Sequence, residues 1–240
     1  MKFTQLNIAG LTVSVTRKPR QKNLYIKVCP PDGEVKVSSP YSITDSQIEN
    51  FVREKMPFIK RTQEKFANQP RQSKREYVSG EAFYLWGKPY MLQLATSKNS
   101  RSSIQRMPSK LVLFVPKDSS VDFRKRKIEE WYRCELEKAI DAMAEPLQKR
   151  VGVKANEFRI KNMKTRWGTC NVQDARIWIN LQLAKKPQEC LEYVMVHELC
   201  HLYEKNHTKR FWALVEQFCP NWKEAKKTLD EMPLDPYEPV

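Results

Sequence analysis

The sequence predicts an α+β fold, in which a β-rich N-terminal domain of residues 1–118 packs with a C-terminal domain of residues 119–240. Three observations support this prediction. Apolar residues occupy every second position in several short segments near the start of the chain, which is the period of a half-buried strand. A long segment after residue 120 has helical spacing, and a later helical segment carries the pentad HELCH.

The N-terminal domain is predicted to begin with a β-meander followed by a helix. The strand candidates are the alternating segments at 11–16, 24–29 and 34–38. Thr44 and Gln47 match a capping box, so a helix should begin there. Pro57 is expected to kink or restart this helix, which should run out near Asn68 and lead into a polar linker.

A β-hairpin is predicted to complete the N-terminal domain. Its strands lie at 82–86 and 89–95, with Gly87-Lys88 as a type II′ turn, because glycine suits the first position of that turn. The apolar run at 111–115 indicates a buried strand. No internal sequence repeat is visible in the chain.

The C-terminal domain is predicted to place a loop with the sequence RWGTC between two strands and to follow it with helices. The predicted elements are a helix at 121–150, strands at 157–163 and 176–181, a helix from about Pro187, and a helix at 208–218. Proline suits the first turn of a helix, where its missing N–H costs no hydrogen bond.

The composition indicates a soluble, basic protein. No apolar run approaches the roughly 18 residues that a membrane span needs, so no membrane partner is expected. The net charge is +15, which favours a nucleic acid or another polyanion as a partner, although no known nucleic-acid-binding motif accompanies it.

The six cysteines form no C-x-x-C pair and the N-terminus is a poor signal peptide, so we expect reduced thiols and a cytoplasmic location. The sequence does not predict the oligomeric state.

All three histidines of the chain lie within eleven residues, HELCHLYEKNH, at 197–207. Residues four apart share one helical face, so His197 and His201 can bind one ion. His207 can join them if the helix breaks after His201, and the polar segment at 204–206 suits a turn. Three neutral imidazoles leave a fourth position open, which is typical of catalytic zinc sites.

Glu198 lies about 100° around the helix from His197, beside the predicted ion. It is therefore a candidate base that takes a proton from metal-bound water and delivers it to the leaving group. One Zn²⁺ is the favoured ion, although nickel, cobalt or copper could use the same ligands. The alternative interpretation is a chance H-E-x-x-H pattern on a helix surface, but the clustering of every histidine argues against it.

Five segments resemble the YgjP-like metallopeptidases, metal-dependent hydrolases related to SprT-like and WLM zinc proteases. The segments are TRWGTC at 165–170, WINLQL at 178–183, YVMVHELCHLYEKNH at 193–207, KRFW at 209–212 and PNW at 220–222. The N-terminal half follows the same layout. The resemblance implies a zincin-like domain at 119–240, with the three histidines as metal ligands and Glu198 as catalytic residue. Thr169 departs from the serine usual in the family.

Three further residues are candidate substrate contacts. Arg166 could bind substrate or stabilise an oxyanion, and Asn180 lies in a strand that is a candidate sheet edge for an extended substrate. Tyr203 could act near the metal, although an aromatic residue at a helix end more often serves packing. The same choice applies to RWGTC, where Trp167 is expected in the core and Cys170 could approach the metal.

The sequence thus favours a cytosolic zinc metallopeptidase acting on a peptide or protein. A metal-dependent nucleotide or phosphoanhydride hydrolase is the alternative, because the same water activation works at phosphorus. A non-enzymatic nucleic-acid-binding protein would require a closed structural site, with Cys170 as fourth ligand.

Overall fold

The computed structural model describes residues 2–29, 32–68, 75–97, 101–163 and 165–231, and these form a mixed α+β structure. The chain divides into two compact units, Met1–Arg71 and Gln72–Asp235. Each unit has its own hydrophobic core. None of the helices in the described ranges has the length and apolar character that spanning a bilayer requires.

The first unit is a four-stranded sheet with two helices. Its elements are β1 (Lys2–Ile8), β2 (Leu11–Arg17), β3 (Tyr25–Cys29), β4 (Glu34–Ser39), α1 (Asp45–Glu54) and α2 (Met56–Asn68). The strand order is β1-β2-β4-β3, with β2 and β4 parallel and the two outer pairs antiparallel. The capping box of Thr44 and Gln47 is confirmed at the start of α1, and the predicted restart near Pro57 is confirmed by the break between the two helices.

The two faces of this sheet differ in burial. Val13, Val15, Val35 and Val37 on the inner face form a core with α1 and α2. The side chains between them form the other face, here called the outer face, and in β4 they are Glu34, Lys36 and Ser38. The alternation seen in the sequence therefore corresponds to one buried and one solvated face.

The second unit begins with a sheet of the same topology. Its strands are β5 (Ala82–Leu85), β6 (Lys88–Thr96), β7 (Ser103–Arg106) and β8 (Lys110–Val115). The order is β5-β6-β8-β7, again with a parallel central pair and antiparallel outer pairs. The predicted type II′ turn is wrong. Trp86 and Gly87 are the central residues, and both have positive φ, at 50° and 77°, which is the pattern of a type I′ turn.

The rest of the second unit surrounds a small three-stranded sheet with helices. Its elements are α3 (Val121–Val151), β9 (Glu157–Lys161), β10 (Gly168–Asn171), β11 (Arg176–Asn180), a 3₁₀ helix (Leu181–Lys185), α4 (Gln188–Cys200), α5 (Lys209–Phe218) and α6 (Trp222–Glu231). The strand order is β10-β11-β9, so β11 is the central strand. The segment predicted as the RWGTC loop contributes an edge strand instead.

The division between the units differs from the predicted boundary after residue 118. The β5–β8 sheet belongs to the second unit because its apolar residues share one core with α3 and α4. The Tyr132 hydroxyl of α3 donates to the Tyr84 carbonyl at 2.7 Å. In the β5–β6 turn, the Trp86 amide donates a hydrogen bond to the Ala184 carbonyl at 2.9 Å. Ala184 lies in the 3₁₀ helix that precedes α4. This sheet therefore supports the helix that carries the histidines.

Candidate active site

The helix α4 is buried and holds the first two histidines. It packs against α3, α5, α6 and β10, and Leu191, Met195 and Leu199 are fully buried. His197 lies in its last turn, and His201 is its C-cap residue. The helix therefore ends at His201, so the chain can turn before His207, as the sequence analysis required.

A short turn brings the third histidine back to the other two. Thr208 caps α5, and its hydroxyl accepts a hydrogen bond from the Phe211 amide at 3.3 Å. This cap fixes the residue directly after His207. The Nε2 atoms of His207 and His197 are 3.0 Å apart. One ligand nitrogen from each of the three histidines lies within 4.8 Å of the others.

Burial favours the neutral form of His197 and His201, which is the form that binds a metal. Burial, followed by the neighbouring His201 and His207, lowers the pKa of His197 to about 3. Burial also lowers the pKa of His201. The His201 Nδ1 lies 3.1 Å from the Glu204 carbonyl oxygen, so it carries the proton and leaves Nε2 free to act as a ligand.

The spacing of these nitrogens could hold a metal ion, and zinc gives a reference distance. Zinc–nitrogen bonds of about 2.0–2.1 Å in a tetrahedral site separate two ligand nitrogens by roughly 3.3 Å. The 3.0 Å separation of His207 and His197 is close to this value, and all three ligand nitrogens lie within 4.8 Å of one another. In the described part of the chain, the group of mutually close ligand atoms consists of the three histidines alone.

Glu198 is buried beside the histidines, with 4% of its surface exposed. Its Oε2 atom has no hydrogen-bond partner among the described residues. Burial raises the pKa of Glu198 to about 8, and the positive charge of Arg166 acts in the opposite direction. A buried carboxyl group with a raised pKa is typical of a residue that exchanges a proton near neutral pH.

Gly168 on β10 leaves the space that the Glu198 side chain occupies. A Cβ atom at residue 168 would lie 2.6 Å from Glu198 Oε1 and 2.9 Å from Val194 Cγ1. Either contact is too close for any side chain. The glycine of the RWGTC segment therefore permits the close approach of β10 to α4, and it limits where the carboxylate can lie.

An open cleft of about 860 Å³ lies over these residues. Its lining comprises 166–173, Tyr193, Val194, His197, Glu198, His201, Lys205 and His207. The histidines, the carboxylate and the edge strand β10 thus share one solvent-accessible space.

A protein-family model for the YgjP-like metallopeptidase domain matches residues 22–232. This chain belongs to the YgjP-like family. The resemblance found in the sequence is confirmed, and the family supports a metal-dependent hydrolase. Among solved structures, the metallopeptidase zymogen of Pyrococcus abyssi abylysin is similar over 40% of this chain and 99% of that one, at 21% identity and a TM-score of 0.35. No curated protein matches the chain significantly.

Arg166 is exposed and lines the cleft of this YgjP-like protein. Cys170 is half-buried in the same cleft, but it is outside the group of close ligand atoms. Burial, followed by the charge of Glu198, raises the pKa of Cys170 to about 11.

Asn180 is buried under the segment that leads into β10. Its Nδ2 donates to the carbonyls of Met163, at 2.8 Å, and Arg166, at 2.7 Å, while its Oδ1 accepts from the amide of Gln182 at 3.1 Å. Its side chain is thus engaged with backbone rather than directed into the cleft.

Tyr203 is half-exposed and does not line the cleft. Its hydroxyl lies 3.0 Å from the Val151 carbonyl oxygen and 3.2 Å from that of Gly152, at the end of α3. This hydrogen bonding ties the turn after α4 to α3.

A column of aromatic rings supports the histidine on the turn. His207 stacks on Trp212 with ring centroids 5.6 Å apart, and Trp212 stacks on Trp222 at 4.7 Å. Trp222 stacks in turn on Tyr193, whose ring edge contacts His197. Sequence reasoning gave these residues no role in the site, although KRFW and PNW belong to the segments that carry the family resemblance.

Proposed function

We propose that this protein is a cytosolic zinc-dependent peptidase in which Glu198 is the catalytic acid and base. The observation that carries the proposal is the buried Glu198 carboxylate beside the three histidines, at the base of an open cleft. The six cysteines are all unpaired, which supports a reducing compartment.

His197, His201 and His207 would hold the zinc ion as neutral imidazoles. When bound there, zinc supplies a Lewis acid that lowers the pKa of water and polarises a carbonyl group. Glu198 takes the proton of the attacking water on its free Oε2 atom and delivers it to the leaving amine. Arg166, at the rim of the cleft, is placed to bind the substrate or to stabilise a developing oxyanion.

The edge strand β10 is the proposed support for an extended peptide. The sequence had suggested the strand at 176–181 as a sheet edge, but β11 lies between β10 and β9. In the described part of the chain, β10 pairs with β11 on one side, and its residues line the cleft. A peptide added to such an edge forms backbone hydrogen bonds and leaves alternate side chains for recognition.

The test measures metal content and peptide hydrolysis on the same samples. Wild-type protein loaded with zinc should hydrolyse casein or a quenched fluorescent peptide. Glu198→Gln should keep its metal and lose activity by at least about 100-fold, because it cannot take the proton. Glu145→Gln, at an exposed position on α3, is the matched control and should match the wild type.

A parallel incubation with nucleoside triphosphates separates the alternative function. Phosphate release that depends on Glu198, without peptide cleavage, would replace the peptidase proposal by a phosphoanhydride hydrolase. Full peptidase activity in Glu198→Gln would remove this residue from the mechanism.

A further inference from the structure

The outer face of the β1-β2-β4-β3 sheet carries two exposed aromatic rings. Phe3 is 73% exposed and Tyr25 is 58% exposed. They lie on the edge strands β1 and β3, at opposite sides of the sheet. This surface is in the first unit, and it has no part in the proposed peptidase chemistry.

Strand register places these rings in one line across the sheet. Phe3 is paired with Thr16, Thr16 with Ser38, and Ser38 with Tyr25. Paired residues point to the same side of a sheet, so the four side chains form an aromatic row with hydroxyl groups between the rings. Three strand spacings of about 4.8 Å separate its ends by roughly 14 Å.

Positive charge surrounds the aromatic row. Lys27 and Lys36 are directly paired across β3 and β4, and like charges in this position destabilise a sheet. Lys36 also forms an ion pair with Glu34 at 2.8 Å. An anion bound on the outer face would relieve the repulsion between the two lysines.

The loop between β2 and β3 adds further cations. Lys18, Arg20 and Lys22 are all exposed in it. The Gln21 Nε2 donates to Ser38 Oγ at 3.3 Å, so the loop borders the aromatic row. The ion pairs within the described ranges include none made by these three cations or by Lys27.

We propose that the outer face of this sheet binds single-stranded nucleic acid. Unpaired bases stack on Phe3 and Tyr25, the hydroxyl groups between them hydrogen-bond to base edges, and the surrounding cations contact phosphates. A membrane surface fits less well, since the row between the rings is hydroxylic rather than apolar. An acidic protein would use the charges but leaves the two aligned rings without a role.

The experiment measures fluorescence anisotropy of labelled single-stranded DNA and RNA of about 12 nucleotides with the full chain. Binding should be detected at about 50 mM salt and weaken as salt rises. Phe3→Leu and Tyr25→Leu keep apolar bulk but remove the aromatic face. Each should weaken binding about 5-fold to 100-fold, as expected for the loss of one stacked base. Lys22→Gln and Lys27→Gln should each reduce the slope of log affinity against log salt by about 0.7.

Two control variants lie on α2, which packs against the other face of the sheet. Phe58→Leu removes an exposed ring, and Lys60→Gln removes an exposed cation. Both should bind as the wild type does. Circular dichroism of every variant should match the wild type, because all the substituted side chains are exposed.

Several results would overturn the proposal. These are no binding at about 50 mM salt, equal affinity for duplex and single strand, or equal losses in the α2 controls. Binding to phosphatidylserine vesicles that depends on Phe3 and Tyr25, together with oligonucleotide binding that does not, would identify a membrane surface instead.

Discussion

The two four-stranded sheets have the same strand order, but they differ in the burial of the second face. This face is exposed in the first sheet and largely buried in the second. In the central strand β4 the sequence EVKVSS places Lys36 and Ser38 on the outer face, whereas KLVLFV in β8 places Val112 and Phe114 at the corresponding positions. Val112 is buried at 8% exposure, and Phe114 is half-buried. One topology thus serves two purposes. Polar alternation leaves a surface open to solvent and ligands, and continuous apolar sequence makes a strand that is packed on both faces.

Introducing a charge into the second sheet should have the largest effect on stability. Val112→Lys places an ammonium group at a buried position, so we expect the free energy of unfolding to fall by roughly 3 kcal/mol. Urea denaturation measures this change, with Val112→Ile as the control of similar size. A decrease in the free energy of unfolding below about 0.5 kcal/mol would show that this face of β8 accepts a charged side chain, as the outer face of the first sheet does.

Gly168→Ala should affect activity more than stability, because its effect falls on β10 rather than on either four-stranded sheet. The added Cβ would displace the Glu198 carboxylate, and a displacement of about 1 Å can lower the rate about 100-fold. Activity and metal content should be measured together, since zinc should be retained. Gly80→Ala is the control for backbone strain without a clash. Its Cβ would meet no atom within 4 Å, and its φ of 96° strains the variant, so it should lose stability but keep wild-type activity. Unchanged activity in Gly168→Ala would mean that the carboxylate has another productive position.

Trp212→Ala should weaken zinc binding by about 10-fold to 100-fold, the range typical for residues that orient metal ligands. The indole stacks on His207, the histidine that lies on a turn rather than on α4. Competition with a chelator measures the affinity, and Trp212→Phe should recover much of it because a ring remains. Equal affinity in all three proteins would remove the aromatic column from the metal site.

The smallest stability effect is expected at Lys36, the position in β4 that corresponds to Val112. Lys36→Val should change the free energy of unfolding by no more than about 0.5 kcal/mol, because the loss of the Glu34 ion pair is offset by relief of repulsion with Lys27. The same urea titration measures it. A loss above about 2 kcal/mol would show that the outer face contributes to stability.

The elements predicted from the sequence are those with strong local signals. The capping box at Thr44 and the spacing of Phe211, Leu214, Val215 and Phe218 located α1 and α5. The strands β7 (SIQR) and β10 (GTCN) have no apolar alternation, and they depend on pairing with β8 and β11. The hairpin turn was misassigned because Trp86 adopts a left-handed conformation that its side chain does not favour.

In the candidate site, too, the features with a local sequence signal were predicted and those formed between distant segments were not. Histidine spacing along α4 predicted the cluster because a helix relates residues four apart directly. The contact between Gly168 and Glu198 and the stacking of Trp222 on Trp212 join segments that are distant in sequence, so no local pattern reveals them. The structure divides the chain after Arg71 rather than after residue 118, because the β5–β8 strands share the core of α3 and α4, and contacts between such distant segments leave no local pattern.

The continuous span of each four-stranded sheet has a consequence for folding during synthesis. The strands of the first sheet all lie within 2–39, and those of the second lie within 82–115. In both sheets two hairpins join through one parallel pair, so few contacts link residues far apart in the sequence. The first sheet and the two helices that cover it all lie within 2–68, so this unit can fold as soon as its own segment leaves the ribosome. The second sheet shares its core with α3 and α4, so it can be completed only when the helix that carries the first metal ligands has also been made.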